Sequence, residues 1–437
     1  MTPPPYANAV RASSSYAVAY SFSGPPNDGW VPTNGLADNG GVLYGLTGYG
    51  GSAHKGECSH GCGTFFAFDP PSSRETVIYS FHGPPNDGAL PNSNLAYYKE
   101  AFYGASWTGG ASNFGTIFEL KQRRMRWKER IIYSFKGPPN DGNEPTHVNV
   151  DRDGTIYGTT FFGGSGTACL FKSSGCGTLF RLTPSAGGQW HETVLYSFEG
   201  SPDGAAPLGE LVRAAQGTMY GETKYGGRST ACPYVGGCGT IFQLKPHGSQ
   251  WRERVLHSFN MTGSTSQRDG SIPSGLMAGA DGMLYGTTAY GGKYGSTACD
   301  VEKGLTGCGT FFAFVPRGKR WNETILYAFK GGSSDGAQPA GATPDGKGGF
   351  YGTTAGGGVG PCQAYTGCGT LYHITAPSRR KGSWNETILH SFEGAPSDGW
   401  GASSSFVSFG GAFYGTTGYG GSGPCAFGCG TIFAFQP

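Results

Sequence analysis

The sequence predicts an all-β protein, a seven-bladed β-propeller with four antiparallel strands per blade. Four sequence landmarks recur seven times in one fixed order along the 437 residues, and no stretch between them keeps a helical period. Repeats of this kind bury a shared core by stacking, and four-stranded units stacked radially form a propeller. The first and last copies are incomplete in complementary ways, which indicates that the ring closes on itself.

The landmarks are short motifs. The first is Tyr-Ser-Phe or a variant of it, ending at Phe22, Phe81, Phe135, Phe198, Phe259, Phe329 and Phe392. The second is an Asp-Gly turn at Asp28, Asp87, Asp141, Asp203, Asp269, Asp335 and Asp398. The third is tyrosine before glycine, at Tyr44, Tyr103, Tyr157, Tyr220, Tyr285, Tyr351 and Tyr414. The fourth is Gly-Thr-x-(Phe/Tyr), with Thr64, Thr116, Thr178, Thr240, Thr310, Thr370 and Thr431.

Each copy is predicted to form four strands. In the first copy these are residues 32–41, 42–47, 64–68 and 76–81, which are rich in β-branched and aromatic residues. The Asp-Gly and Gly-Gly pairs between them are typical of turns, because glycine accepts a positive φ and aspartate bonds to nearby backbone. We therefore expect almost no helix.

We expect a single domain over residues 1–437. Its blades are predicted at about 30–81, 89–135, 143–198, 205–259, 271–329, 337–392, and 400–437 together with 16–22. Residues 16–22 supply only a fourth strand, and the chain ends after a third strand. Pairing the two would complete the last blade with an N-terminal strand and cover both free edges.

The composition argues against nucleic acid and membrane as partners. Charged residues make up 14% of the chain and the net charge is +2, so no basic stripe points to nucleic acid. No apolar run approaches the ~20 residues that a membrane-spanning helix needs. The 80 glycines fall at fixed places in the repeat, which favours order over a low-complexity segment.

The twelve cysteines form six local pairs, each between the second and third strands of a blade. The pairs are Cys58/Cys62, Cys169/Cys176, Cys232/Cys238, Cys299/Cys308, Cys362/Cys368 and Cys425/Cys429, and blade 2 lacks both members. Zinc would need four converging ligands, whereas each loop offers two thiols. We therefore expect disulfides, no bound metal and an extracellular or cell-surface location. No apolar signal core follows Met1, so a signal peptide is expected to have been removed.

The blade consensus resembles a known family. Its elements are clearest at Trp190, Glu192, Tyr196, Ser197, Phe198, Asp203 and Gly204, and again at 239–242 and 284–288. It resembles the GloVer (Gloeo-Verruco) tandem-repeat family of exported bacterial proteins. The resemblance implies an exported protein, often tethered by a C-terminal sorting signal; none follows Pro437, so this chain is expected to be free or truncated. It implies no established activity, cofactor or catalytic residue.

The disulfide loops and Asp-Gly loops should share one face, which is the candidate binding face. Aromatic residues recur there at Tyr49, Trp107, Phe162, Tyr225, Tyr290 and Tyr419. They would either stack on sugar rings or simply cover the disulfides. The Asp-Gly aspartates, and the Trp-x-Glu pairs that begin most fourth strands, recur in too many blades to serve one reaction, so we expect them to be structural.

The innermost strands carry polar residues that interrupt the repeat. Asn34, Asn94, His147 and Glu210 stand where small residues are common, and we expect them to line the mouth of the central channel. His147 and Glu210 lie in adjacent blades and are the weak candidates for acid–base chemistry. The alternative is that these residues only bind water.

Three functions fit these observations. The first is an extracellular module that binds glycans or a surface protein. The second is a scaffold that self-associates by exchanging the N-terminal closure strand. The third is a carbohydrate-active hydrolase or lyase with its site at the channel mouth. Asn260, Asn322 and Asn385 head Asn-x-Thr sequons, which matter only if the host glycosylates.

Overall fold

A computed structural model confirms the seven-bladed propeller. It describes residues 15–53, 56–124, 126–170, 172–233, 236–248, 250–261, 269–294, 299, 305–318, 320–362, 367–377, 382–403 and 405–437. Among these residues, thirty strands form seven antiparallel sheets. The helices within the described ranges are single 3-10 turns at Gly56–Cys58, Pro70–Ser72, Lys172–Ser174, Ala186–Gly188 and Ala215–Gly217. None of them is long and apolar enough to cross a membrane.

The first strand of the described residues, β1 (Ser15–Ser21), belongs to the last blade. Blade 1 contains β2 (Gly29–Asn39), β3 (Val42–Gly50), β4 (Thr64–Asp69) and β5 (Arg74–Ser80). Blade 2 contains β6 (Gly88–Pro91), β7 (Ala96–Tyr98), β8 (Ala101–Gly109), β9 (Thr116–Arg123) and β10 (Arg126–Ser134). Blade 3 contains β11 (Gly142–Val150), β12 (Ile156–Gly163), β13 (Thr178–Pro184) and β14 (Trp190–Ser197).

The remaining blades repeat this order. Blade 4 contains β15 (Gly204–Arg213), β16 (Met219–Gly226), β17 (Thr240–His247) and β18 (Gln250–Ser258). Blade 5 contains β19 (Ser271–Ala278), β20 (Leu284–Tyr290), β21 (Thr310–Arg317) and β22 (Arg320–Ala328). Blade 6 contains β23 (Gly336–Pro344), β24 (Phe350–Gly357), β25 (Thr370–Thr375) and β26 (Asn385–Ser391). Blade 7 contains β27 (Gly399–Ala402), β28 (Val407–Phe409), β29 (Ala412–Gly420) and β30 (Thr431–Gln436), and β1 is its outermost strand.

One aromatic contact joins every blade to the next. The phenylalanine that ends each Tyr-Ser-Phe-like motif is fully buried against an aromatic ring on the third strand of the following blade. The seven pairs are Phe22–Phe66, Phe81–Phe118, Phe135–Phe180, Phe198–Phe242, Phe259–Phe312, Phe329–Tyr372 and Phe392–Phe433, with ring centroids 5.1–5.6 Å apart. Such pairs contribute about 0.5–1.5 kcal/mol each beyond the apolar area that they bury.

The tyrosine-glycine landmark makes room for these rings. A Cβ on Gly45 would lie 2.4 Å from the Phe66 ring, and one on Gly221 would lie 2.4 Å from the Phe242 ring. The glycine therefore recurs because the second strand must pass directly over the third-strand aromatic residue. This packing explains two of the four sequence landmarks at once.

The N-terminal strand closes the ring. β1 pairs antiparallel with β30 of the same chain, from Ser15 opposite Gln436 to Ser21 opposite Thr431. The Phe22 amide then donates to Gly430, and the Val31 amide of blade 1 donates to Cys429 of blade 7. The expected closure is thus confirmed within one chain, while exchange of β1 between copies stays a prediction.

Deleting residues 1–22 should strongly destabilise the protein. The deletion removes the β1 ladder and the buried Phe22, whose burial alone is worth about 1.5–3 kcal/mol. We expect a markedly lower Tm by calorimetry, or aggregation through the exposed edge of β30. A synthetic peptide of residues 15–22 added in trans should restore part of the lost Tm. An unchanged Tm in the truncated protein would contradict the closure.

Candidate functional site

The predicted disulfide bonds are present. Six bonds join Cys58–Cys62, Cys169–Cys176, Cys232–Cys238, Cys299–Cys308, Cys362–Cys368 and Cys425–Cys429. In several blades the sulfurs lie against the glycine two residues beyond the Tyr-Ser-Phe-like motif. A Cβ on Gly83, for example, would lie 2.9 Å from both sulfurs of the Cys58–Cys62 bond. The bonds therefore stiffen the loops at the point where one blade passes to the next.

In blade 2, Phe114 takes the place of the disulfide. A Cβ on Gly137 would lie 2.8 Å from the Phe114 ring, just as a Cβ on Gly83 would lie 2.9 Å from the disulfide sulfurs of its blade. The Phe114 carbonyl also accepts from the Glu144 amide, as the carbonyls of Cys62 and Cys176 accept from the next blade. Sequence analysis missed this substitution, although Phe114 stands directly before Gly-Thr where the other blades have the second cysteine.

Replacing Phe114 with alanine should loosen the junction between blades 2 and 3. The ring is partly buried, so we expect a loss of about 1–3 kcal/mol in unfolding free energy by denaturant titration. Ser112→Ala, an exposed change in the same loop, is the matched control and should have almost no effect. Equal effects from both changes would show that Phe114 is not the packing element of this loop.

The recurring aspartates fix the blade-to-blade turns. The Asp28 carboxylate accepts from the Gly29 amide at 2.6 Å, the Ser23 amide at 2.7 Å and the Tyr20 hydroxyl at 2.9 Å. The same pattern with tyrosine recurs at Asp87, Asp141 and Asp335, and His390 replaces the tyrosine at Asp398. The oxygens of these carboxylates already accept hydrogen bonds within the turns, so few acceptor positions remain for a ligand.

A cavity of about 820 Å³ lies between the innermost strands of the seven blades. Its second-strand lining residues stand near the loops between second and third strands, so we assign its mouth to the face that carries the disulfide loops. The innermost strands line the cavity, together with side chains of the second strands of blades 2–4 and 7. It is the candidate binding site, because binding sites are concave and combine apolar walls with a few polar groups.

Three of the four predicted channel residues join neighbouring blades. The Asn34 amide donates to the Asn92 side chain at 2.8 Å. The Asn94 side chain donates to the carbonyl of Val148 and accepts from its amide, at 2.9 and 3.0 Å. Glu210 accepts from Asn149 at 3.0 Å and is exposed. All four predicted residues, including His147, line the cavity.

His147 is neutral in the channel. Burial lowers the pKa of its imidazole to about 4, and its Nδ1 atom has no hydrogen-bond partner among the described residues. Within the same ranges, no hydrogen bond links His147 to Glu210. The geometry therefore places the two side chains in one cavity without joining them.

Glu222 on β16 is a buried acid that was not predicted from the sequence. It stands where Thr159, Thr287, Thr353 and Thr416 stand in other blades, it lines the cavity, and it is 1% exposed. Burial raises its pKa to about 8, against the opposing effect of the Gly275 and Leu276 amides. Its carboxyl is thus mainly protonated at neutral pH. Gly209 beside it has a φ of +90°, which favours glycine, and a Cβ there would lie 2.6 Å from the Glu222 Oε1.

The predicted aromatic residues occupy different environments. Trp107 and Tyr419 line the cavity. Tyr49 packs on Trp30 with ring centroids 5.4 Å apart, and Tyr290 is 6% exposed within a core cluster. Phe162 and Tyr225 are half-buried outside the cavity lining. The six rings therefore do not form one continuous stacking surface.

The second strands instead build a wall on one side of the mouth. The residue four positions after the tyrosine of the third landmark is Trp107, Phe161 and Lys224 in blades 2, 3 and 4, and all three line the cavity. The other blades have Gly48, Ala289, Ala355 and Gly418 there. The Lys224 ammonium lies 5.9 Å from the Phe161 ring and 5.3 Å from the Tyr225 ring.

Glu144 completes this wall. It lies on β11 between residues paired with Thr160 and Phe162, which places it across from Phe161, and it lines the cavity. Burial raises the pKa of its carboxyl, and the side chain makes no hydrogen bond or ion pair with the described residues. The equivalent residues are Val31, Leu90, Ala206, Ile272, Gln338 and Gly401. We call Trp107, Phe161, Lys224 and Glu144 the mouth wall.

Comparison with known proteins places the chain in a family. It is a disulfide-bearing repeat propeller, and the family model described as Gloeobacter/Verrucomicrobia repeat matches residues 8–171 and 127–299. The protein belongs to that family, as its blade consensus indicates. No curated protein matches it.

Solved structures show distant likenesses. The chain is similar to a PQQ-bound aldose sugar dehydrogenase from Streptomyces coelicolor, at 11% identity and TM-score 0.45, covering 97% of this chain and 98% of that one. It is also similar to a gluconolactonase from Xanthomonas campestris, at 13% identity and TM-score 0.41, covering 79% and 87%. Identities this low carry no ligand or reaction from one protein to another.

Proposed function

We propose that the protein is an extracellular glycan-binding propeller whose ligand seats on the mouth wall. The observation that carries the proposal is the Glu144 carboxylate. Within the described part of the chain it is partly buried and forms no ion pair or hydrogen bond, and it lines the same cavity of about 820 Å³ as the aromatic side chains Trp107 and Phe161.

A sugar supplies what this wall lacks. The hydroxyl groups of a sugar donate hydrogen bonds to a carboxylate, and hydrogen bonds to a charged group contribute about 1.5–3 kcal/mol. The apolar face of the same ring packs against an aromatic side chain. Lys224 adds a donor at the edge of the wall, and the small residues Gly48, Ala289, Ala355 and Gly418 leave the opposite side of the mouth open.

The disulfides support an extracellular location. Six bonds close loops that carry the binding face, and stable disulfides form and persist in oxidising compartments. Stiff loops also favour binding, because less conformational entropy is lost when a ligand is captured.

A glycan array followed by titration calorimetry tests the proposal. For a glycan that binds, Trp107→Ala and Phe161→Ala should each weaken affinity about 2- to 10-fold, since stacking is worth about 0.5–1.5 kcal/mol per ring. Glu144→Gln should weaken it about 10- to 100-fold.

Tyr49→Ala is the matched control, because Tyr49 is an aromatic residue of the same face that lies outside the cavity lining. It should change affinity less than twofold. Binding that survives all three mouth-wall changes, or an array without any bound glycan, would contradict the proposal.

A further inference from the structure

Buried carboxyl groups meet at six of the seven junctions between blades. In blades 1–6 the glutamate of the fourth strand is close enough to the Asp-Gly aspartate that precedes its own blade for the two carboxyl charges to interact. The pairs are Glu75 with Asp28, Glu129 with Asp87, Glu192 with Asp141, Glu253 with Asp203, Glu323 with Asp269 and Glu386 with Asp335. In all six glutamates, Oε1 is buried and has no hydrogen-bond partner among the described residues.

Few positive charges face these carboxyl pairs. The groups packed around them are the phenols of Tyr20, Tyr79, Tyr133, Tyr196, Tyr327 and Tyr372 and the imidazoles of His82 and His257. Lysines are near two pairs, Lys136 at Glu192 and Lys330 at Glu386. Within the described ranges, none of the six glutamates forms a salt bridge.

Two carboxylates cannot both stay charged in such surroundings. The aspartates accept backbone hydrogen bonds, such as those of 2.6–2.7 Å from Gly29, Gly88 and Gly142, whereas the glutamate Oε1 atoms accept none from the described residues. The proton therefore resides on the glutamate. Burial, followed by the charge of the aspartate, raises the pKa to about 7 for Glu192 and to about 8 for the other five.

We propose that the propeller is a pH-sensitive ring, whose junctions hold the blades together while each glutamate keeps its proton and loosen when the glutamates ionise. In the unfolded chain these groups titrate near 4.5, so between about pH 4.5 and 8 the folded protein binds more protons than the unfolded chain. Stability consequently falls as pH rises through this window, and the six glutamates cause no further loss above it.

The junction between blades 6 and 7, which β1 also helps to form, is built without an acid pair. Tyr16 of β1 stands at the position of the glutamate, donates to Asp398 at 2.6 Å, and stacks on His390 with ring centroids 3.6 Å apart. His390 bonds the other oxygen of the same aspartate at 2.8 Å. The strand that closes the ring therefore meets blade 6 through a contact that glutamate ionisation does not weaken.

Thermal unfolding of the intact protein from pH 5.5 to 8.5 tests the proposal. The Tm of the wild-type protein should fall across this range. Glutamine is a neutral isostere of the protonated acid, so Glu129→Gln with Glu253→Gln should match the wild type at pH 5.5 and exceed its Tm at pH 8.5. Calorimetry in buffers of different ionisation enthalpy should show that the double variant takes up about two protons fewer on folding near pH 6.5.

Glu393→Gln is the matched control, because Glu393 is an exposed glutamate at a blade junction. It should follow the wild-type curve at every pH. Tyr16→Glu creates a seventh acid pair and should make the fall in Tm steeper, which keeps the test decisive if the double variant folds poorly. A wild-type Tm that does not fall between pH 5.5 and 8.5, or a double variant whose curve runs parallel to it, would overturn the proposal.

Discussion

The fold depends on one contact, in which a phenylalanine at the end of each blade packs against an aromatic ring on the third strand of the next blade. Phe22, at the end of β1, makes this contact with Phe66 in blade 1, so the junction across the chain ends is built like the internal ones. The other repeated features surround it. The second-strand glycine leaves space for the ring, and the Asp-Gly turn redirects the chain directly after the phenylalanine. The disulfide or Phe114 then covers the turn.

Because the same aromatic contact holds all seven junctions, individual blades are free to differ where they face the channel. Blades 2–4 differ most from the others, because their second strands carry Trp107, Phe161 and Lys224 where the other blades have glycine or alanine. Glu144 and Glu222 add carboxyl groups whose burial costs stability, and neither ion-pairs with the described residues. Costly polar groups gathered at one side of a cavity are characteristic of binding sites.

The repeat and the disulfide bonds could be predicted because their motifs recur several times in the sequence. The closing strand could be predicted because a closed ring leaves no strand edge unpaired. The site could be predicted less well. Adjacent residues on a strand face opposite sides, so the choice between Phe161 and Phe162 depends on register, and irregular pairing within the inner strands obscures register in the sequence. Glu222 departs from the motif visibly, yet only the fold shows that the Thr position of blade 4 lies at the channel.

Native-state hydrogen exchange at the seven motif phenylalanines tests most directly whether the junctions are equivalent. Each of these amides donates to the glycine that begins the Gly-Thr landmark of its own blade, at 3.0 Å in all seven cases. If the ring unfolds as one unit, the amides of Phe22, Phe81, Phe135, Phe198, Phe259, Phe329 and Phe392 should show similar and high protection. Exchange at Phe22 that is much faster than at the other six would show that the closing strand opens independently and would contradict a ring of equivalent junctions.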